Sequence, residues 1–212
     1  TAFSGGEVQY VDLEVYGNHI WGHAPQGDIV ITTPYEEDIL PWDGDFDWYL
    51  DNNLLPGDVL TITAGAGTQP VTIIIPDPFD VAASSISDQV WGQVDHLDGA
   101  WLQVDYYGGP NIDVQTDIDG FFDVTFPDIP RHGDGEVRYS TQVDYADVTF
   151  HRYWQSPDLI LEVRLFDSFV EGRYPVGHTV WITVTDSVGS VKCTTSGETD
   201  LILDWDNTSG YA

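Results

Sequence analysis

Short runs in which apolar and polar residues alternate recur along the chain. Val59-Leu60-Thr61-Ile62-Thr63 and Val71-Thr72-Ile73-Ile74-Ile75 are two of them, followed by Trp101-Leu102-Gln103-Val104 and Val148-Thr149-Phe150. Leu159-Ile160-Leu161-Glu162-Val163 and Val180-Trp181-Ile182-Thr183-Val184 continue the series. A period of two sends successive side chains to opposite faces of a strand, and helical spacing is hard to find here. The runs are β-branched and aromatic, and clusters of Gly, Pro, Asn and Asp separate them as turns. This pattern predicts an all-β chain built from tandem immunoglobulin-like β-sandwich domains.

A longer period overlies the short one. Ile20-Trp21-Gly22-His23 recurs as Val90-Trp91-Gly92-Gln93 and, more weakly, as Val170-Glu171-Gly172-Arg173, with the glycines 70 and then 80 positions apart. Each interval suits one seven-stranded sandwich. After each glycine come a turn and a strand. An Asp-rich stretch leading into aromatic residues follows in two copies, Asp43-Gly44-Asp45-Phe46-Asp47-Trp48-Tyr49 and Asp117-Ile118-Asp119-Gly120-Phe121-Phe122-Asp123. Leu55-Pro56-Gly57-Asp58 closes the first copy, and Ile129-Pro130-Arg131-His132-Gly133-Asp134 is its degenerate counterpart. The landmarks predict unit 1 over residues 1–80 with an extended segment at 1–15, unit 2 over 81–156, and a partial unit 3 over 157–212. Trp21 and Trp91, at matching repeat positions, are expected in the cores.

Thr116-Asp117-Ile118-Asp119-Gly120-Phe121 and Leu54-Leu55-Pro56-Gly57-Asp58-Val59 carry a family resemblance, as does Leu165 to Gly172 with Tyr174-Pro175-Val176-Gly177. The chain resembles the Ig-like repeats of very large bacterial surface proteins, related in style to carboxypeptidase-regulatory-like domains. The resemblance implies a sandwich fold and a cell-surface, extracellular setting. It brings no catalytic residues, and no enzyme is expected.

The third unit stops short of the closing stretch that the others have. A sandwich without its last strands leaves unpaired backbone groups, each costing about 1–3 kcal/mol when buried. The expectation is that a strand from another copy completes it. Val8, Tyr10, Val11, Leu13 and Val15 form the candidate donor stretch. Addition of this kind, repeated head-to-tail without closing, makes a filament from copies of the chain. The alternative is a glycan-binding or adhesin-stalk segment of a large surface repeat protein.

Charge narrows the partners. Thirty-six acidic residues against six basic ones give a formal net charge of −30, so nucleic acid and anionic membranes are poor partners. No apolar stretch is long enough to be read as a membrane span. The absence of methionine, with Thr1 first, leads to the expectation of a processed or excised chain. Cys193 is the one cysteine, so no intrachain disulfide forms, and its strand-like neighbours predict a buried thiol.

Calcium is the candidate cofactor, through the alternating carboxylates Asp43, Asp45 and Asp47, Asp117 and Asp119, and Asp204 and Asp206. Oxygen ligands suit the ion, although Asp-Gly pairs also make ordinary turns. The histidines show no zinc spacing. Trp42, Trp48, Trp154, Tyr106 and Tyr107 lie near turns and are candidate sugar-stacking residues. Asn207-Thr208-Ser209 is a glycosylation sequon at Asn207.

Overall fold

The computed structural model describes residues 8–24, 27–41, 44–65, 68–95, 98–157, 160–164, 169–174, 179–198, 200–201 and 210–211. These are strands and their connections, and no helix occurs among the described residues. The fold is all-β. The chain divides into one body over Thr1–Ser156 and another over Pro157–Ala212.

The first body contains two series of strands. β1 (Tyr10–Glu14), β2 (His19–Ala24), β3 (Ile29–Thr32), β4 (Glu37–Leu40), β5 (Gly44–Tyr49), β6 (Val59–Ala64) and β7 (Val71–Ile74) make the first. β8 (Phe79–Ser84), β9 (Gln89–Val94), β10 (Trp101–Tyr106), β11 (Asn111–Gln115), β12 (Phe121–Thr125), β13 (Asp134–Val143) and β14 (Ala146–Gln155) make the second. Both series pair alike. The first, second and fifth strands form β1-β2-β5 and β8-β9-β12, and the remaining strands form β4-β3-β6-β7 and β11-β10-β13-β14. A three-stranded sheet with a four-stranded one is an immunoglobulin-like sandwich arrangement.

The Trp-Gly repeat explains itself in this frame. Gly22 lies opposite Phe46 of β5, and Gly92 opposite Phe122 of β12. A Cβ on Gly22 would come 2.4 Å from the Tyr10 carbonyl oxygen and 2.7 Å from the Phe46 ring. On Gly92 it would come 1.9 Å from the Asp80 carbonyl oxygen and 3.0 Å from the Phe122 ring. Glycine therefore makes room for the inward phenylalanine on the neighbouring strand. The tryptophans take the opposite face. Trp21 is half-buried and Trp91 is exposed, which corrects the expectation that both lie in the core.

The two series share a sheet. β14 runs parallel to β1, with Val11 opposite Val148 and Leu13 opposite Phe150. The result is a seven-stranded sheet in the order β11-β10-β13-β14-β1-β2-β5, about 29 Å across at ~4.8 Å per strand interval. Val11, Leu13, Ile20, Phe79, Val148 and Phe150 belong to one buried cluster spanning both series.

This seam also corrects the reading of residues 8–15 as a free donor. β1 is bonded to β14 on one side and β2 on the other. Val8, Val11, Leu13 and Val15 are buried in this chain's own core, and Tyr10 points outward. The alternation that suggested a donor strand is the alternation of an interior strand with one covered face.

The second body contains β15 (Ile160–Arg164), β16 (Phe169–Tyr174), β17 (Thr179–Thr185), β18 (Val191–Glu198), β19 (Asp200–Leu201) and β20 (Gly210–Tyr211). One sheet runs β15-β16-β20-β19, and β17 and β18 form a separate hairpin. Gly172 of the repeat lies in β16, opposite Leu161. Asp186 makes the hairpin turn, its Oδ1 accepting the N–H groups of Val188 and Ser190, while Lys192 Nζ lies 2.8 Å from its Oδ2. Cys193, opposite Val184, is exposed rather than buried, as are Val184 and Val191.

Candidate functional site

Strand alternation leaves one broad outer face on the seven-stranded sheet. Because each register is known, its side chains can be read in rows. Ser140, Thr149, Asp12 and Trp21 stand in one row across β13, β14, β1 and β2, and Trp101 on β10 lies one residue beyond the last β10–β13 pair, Leu102 with Tyr139. Gln103, Arg138 and His151 stand in the next row, with Asp113 beyond Gln103 on β11. Tyr10, His23 and Asp45 belong to a row on the other side.

A line of charges crosses the middle of this face. Arg138 pairs with Asp105 on β10, and its Nε lies 3.5 Å from Glu136 Oε1. At that separation the second contact is Coulombic and Nε has no hydrogen-bond partner. His151 Nδ1 is 3.0 Å from Glu136 Oε2, and its Nε2 is 3.1 Å from Asp12 Oδ1 across the β1–β14 seam. Both ring nitrogens face carboxylates, so the imidazolium, with two N–H donors, satisfies both. Burial works against the charged ring, but hydrogen bonds to Asp12 and Glu136, helped by their charges, hold its pKa above the ordinary 6.5.

Aromatic rings flank this line. Trp21 packs on His151 at 4.8 Å between ring centroids and on His19 at 4.6 Å. His19 stacks on Tyr49 at 4.3 Å and 2°. On the other flank Trp101 is 62% exposed. Between the flanks lies a shallow cavity of about 330 Å³ lined by Trp101, Gln103, Arg138, Ser140, Thr149 and His151, with Asp12 and Asp113 at its margins. The Ser140 and Thr149 hydroxyls are 3.1 Å apart on its floor.

Of the carboxylates read as calcium ligands, those of Asp45, Asp47 and Asp117 have other partners. Asp45 Oδ1 lies 2.7 Å from His23 Nδ1, and Asp47 Oδ1 lies 2.7 Å from His19 Nε2. Both aspartates belong to β5 rather than to a turn. Asp117 Oδ1 accepts the N–H groups of Asp119 and Phe121 and so shapes its own hairpin turn, and the Asp119 carbonyl accepts the Gln93 amide. Among the described residues, no three His, Cys, Asp or Glu groups are placed to hold a metal ion. Asp43, Asp204, Asp206 and Asn207 lie outside the described residues.

The stacking candidates scatter. Trp154 is buried, with Tyr106 and Phe126 beside it at 6.2 and 6.4 Å, so Trp154 and Tyr106 serve the core. Trp48 Nε1 donates to Asp38 Oδ2 at 2.9 Å, bringing β5 to β4 of the facing sheet. Tyr107 is exposed beside Gly135 and Tyr153, and Trp42 lies outside the described residues. The outer-face aromatics were missed because a run of alternating residues does not say which face is covered. The usable signal was Gly22: an inward glycine sends Trp21 outward.

No family model matches the chain, and no curated protein matches it. Solved structures overlap it loosely. The FN1–FN3 domains of chicken CNTN1 are 12% identical at a TM-score of 0.28, with 98% of this chain and 86% of that one covered. A structure from a study of host cell surface retention of a 1.5-MDa bacterial ice-binding adhesin is 9% identical at a TM-score of 0.26, with 100% of this chain and 88% of that one covered.

Proposed function

We propose that this chain is a structural segment of an extracellular surface protein, a pair of fused β-sandwiches that acts as a spacer. The observation that supports the reading is the β1–β14 seam, which runs one sheet through both series of strands. A spacer made this way bends less than two sandwiches on a linker, because relative movement would break a ladder rather than flex a loop. The acidic composition keeps such a surface hydrated and disfavours self-adhesion at low salt. The test is location: protease shaving and immunogold labelling of intact cells should find the chain outside. Protection in intact cells, with release only on lysis, would sink the reading.

A filament is the second reading, and the β17–β18 hairpin favours it. Among the described residues neither strand has a second neighbour, and Val184, Val188 and Val191 are exposed. An isolated two-stranded ribbon is marginal in water, so added strands would stabilise it, and in this reading another copy supplies them head-to-tail. Residues 8–15 would act as donor only by leaving their place between β14 and β2. Electron microscopy of the purified chain should show fibres, and Val184→Glu should suppress them without moving the melting of the first body. Material that stays monomeric at high concentration rules the filament out.

A further inference from the structure

We infer that the groove on the outer face of the seven-stranded sheet, beside Trp101 and over Gln103, Ser140 and Thr149, binds an extended, uncharged glycan. The site goes beyond the spacer role and does not depend on it. The lining reaches from Asp113 on β11 to Asp12 on β1, four strand intervals, about 19 Å. The span suits an oligosaccharide chain rather than a single sugar. An exposed tryptophan offers a flat apolar face with a polar edge, which matches the alternating C–H and hydroxyl character of a pyranose ring. Trp101, on the rim of a cavity of about 330 Å³, is the principal platform. Trp21, half-buried and packed on His151 and His19, backs the groove's far side.

The floor provides the polar part. Ser140 and Thr149 hydroxyls both donate and accept, the Gln103 amide does the same, and Asp12 and Asp113 accept. A surface that mixes donors and acceptors at short spacing pairs with hydroxyl groups of either polarity. Trp101 stands on an interior strand of a rigid sheet, so little ordering is needed on binding.

Charge selects the class of glycan. The chain as a whole carries −30, which repels uronates and sulfated chains at long range. The groove itself sets Arg138 and the imidazolium of His151 against Asp12, Asp113, Glu136 and Asp105, a net negative balance that disfavours anionic chains at short range as well. A polycation would settle on the carboxylate-rich remainder of the surface in preference. Uncharged hydroxyls gain most from such a floor.

The experiment uses the full chain and three uncharged hexasaccharides, cellohexaose, xylohexaose and mannohexaose, with hexagalacturonate and hexaglucosamine as charged controls. Binding is followed by calorimetry and tryptophan fluorescence. At least one uncharged hexasaccharide should bind, and Trp101→Ala should weaken it by about tenfold or more. Gln103→Ala should weaken it less, while Trp91→Ala, a change at an exposed tryptophan on a different sheet, should leave it unchanged. Trp101 is exposed enough for its variant to fold, and an unchanged melting curve verifies this. The inference is overturned if no uncharged hexasaccharide binds, if only a charged one does, if Trp101→Ala binds as well as the parent, or if Trp91→Ala loses as much. Failure on any of these counts leaves the spacer reading intact.

Discussion

The sheets β1-β2-β5 and β8-β9-β12 are built from the same local sequence and end in different surroundings. Each has an inward glycine, Gly22 or Gly92, opposite an inward phenylalanine, Phe46 or Phe122. Each has an outward tryptophan opposite an aspartate, Trp21 with Asp47 and Trp91 with Asp123. The first sheet continues through β14 into a seven-stranded sheet, whereas the second ends at β8. As a result Trp21 acquires His151 as a packing partner, while Trp91 stays 40% exposed. The pair of residues fixes the face of the strand, and the neighbouring strand decides what that face becomes.

The largest effects should come from the shared element. Phe46→Ala and Phe122→Ala each remove a buried ring and should destabilise by about 3–5 kcal/mol. Urea unfolding of the two variants should show similar losses. A loss confined to one of them would mean that the two copies are not energetically equivalent. Leu13→Ala, at the seam opposite Phe150, should cost about 2–5 kcal/mol. Calorimetry should show the two series of strands melting together at a lower temperature. Two separated transitions, with only one shifted, would show that the seam does not couple them.

Gly22→Ala and Gly92→Ala should each cost about 1–3 kcal/mol through overpacking. The Gly92 change should be the worse of the two, since its Cβ would meet a backbone oxygen at 1.9 Å against 2.4 Å at Gly22. The reverse order in denaturant midpoints would contradict the geometry.

A smaller difference concerns pH. In the folded chain His151 holds its proton above the ordinary 6.5 through Asp12 and Glu136, despite burial. Its contribution to stability is therefore complete below about pH 6.5 and is lost as pH rises through the higher folded value. Glu14, opposite His151 in the ladder, and Arg138, on β13 beside it, are the other charged groups at this point. Denaturant midpoints taken from about pH 5.5 to about pH 9 should fall across that window. The His151→Gln profile should be flatter, and parallel profiles would refute the assignment. Smallest of all, Trp91→Ala should change stability by about 0.5 kcal/mol or less, and Trp21→Ala by more, because only Trp21 has ring partners to lose.

The strand-and-turn character was legible because β-branched alternation and Asp, Pro and Gly punctuation are local properties. Leu54 and Ile129, for example, precede the Pro-containing turns in both copies and are buried as anchors. The tryptophans misled because size is a stronger signal than position. On β2 the covered face carries Ile20, Gly22 and Ala24, whose combined apolar bulk is less conspicuous than Trp21 between two histidines. The seam was invisible for another reason: Tyr10 and Asp147 are paired, and a parallel contact between such distant segments has no turn to announce it. The shallow groove on the outer face shared that fate, since its lining comes from five strands drawn from both series.

The parallel seam has a consequence for how such a protein is made and inherited. β1 cannot complete its hydrogen bonding until β14 has been synthesised, so an emerging chain carries an open sheet margin while all the strands between them are made, a state prone to mispairing. For the same reason, a gene duplication or deletion that copied one sandwich alone would strand half a ladder.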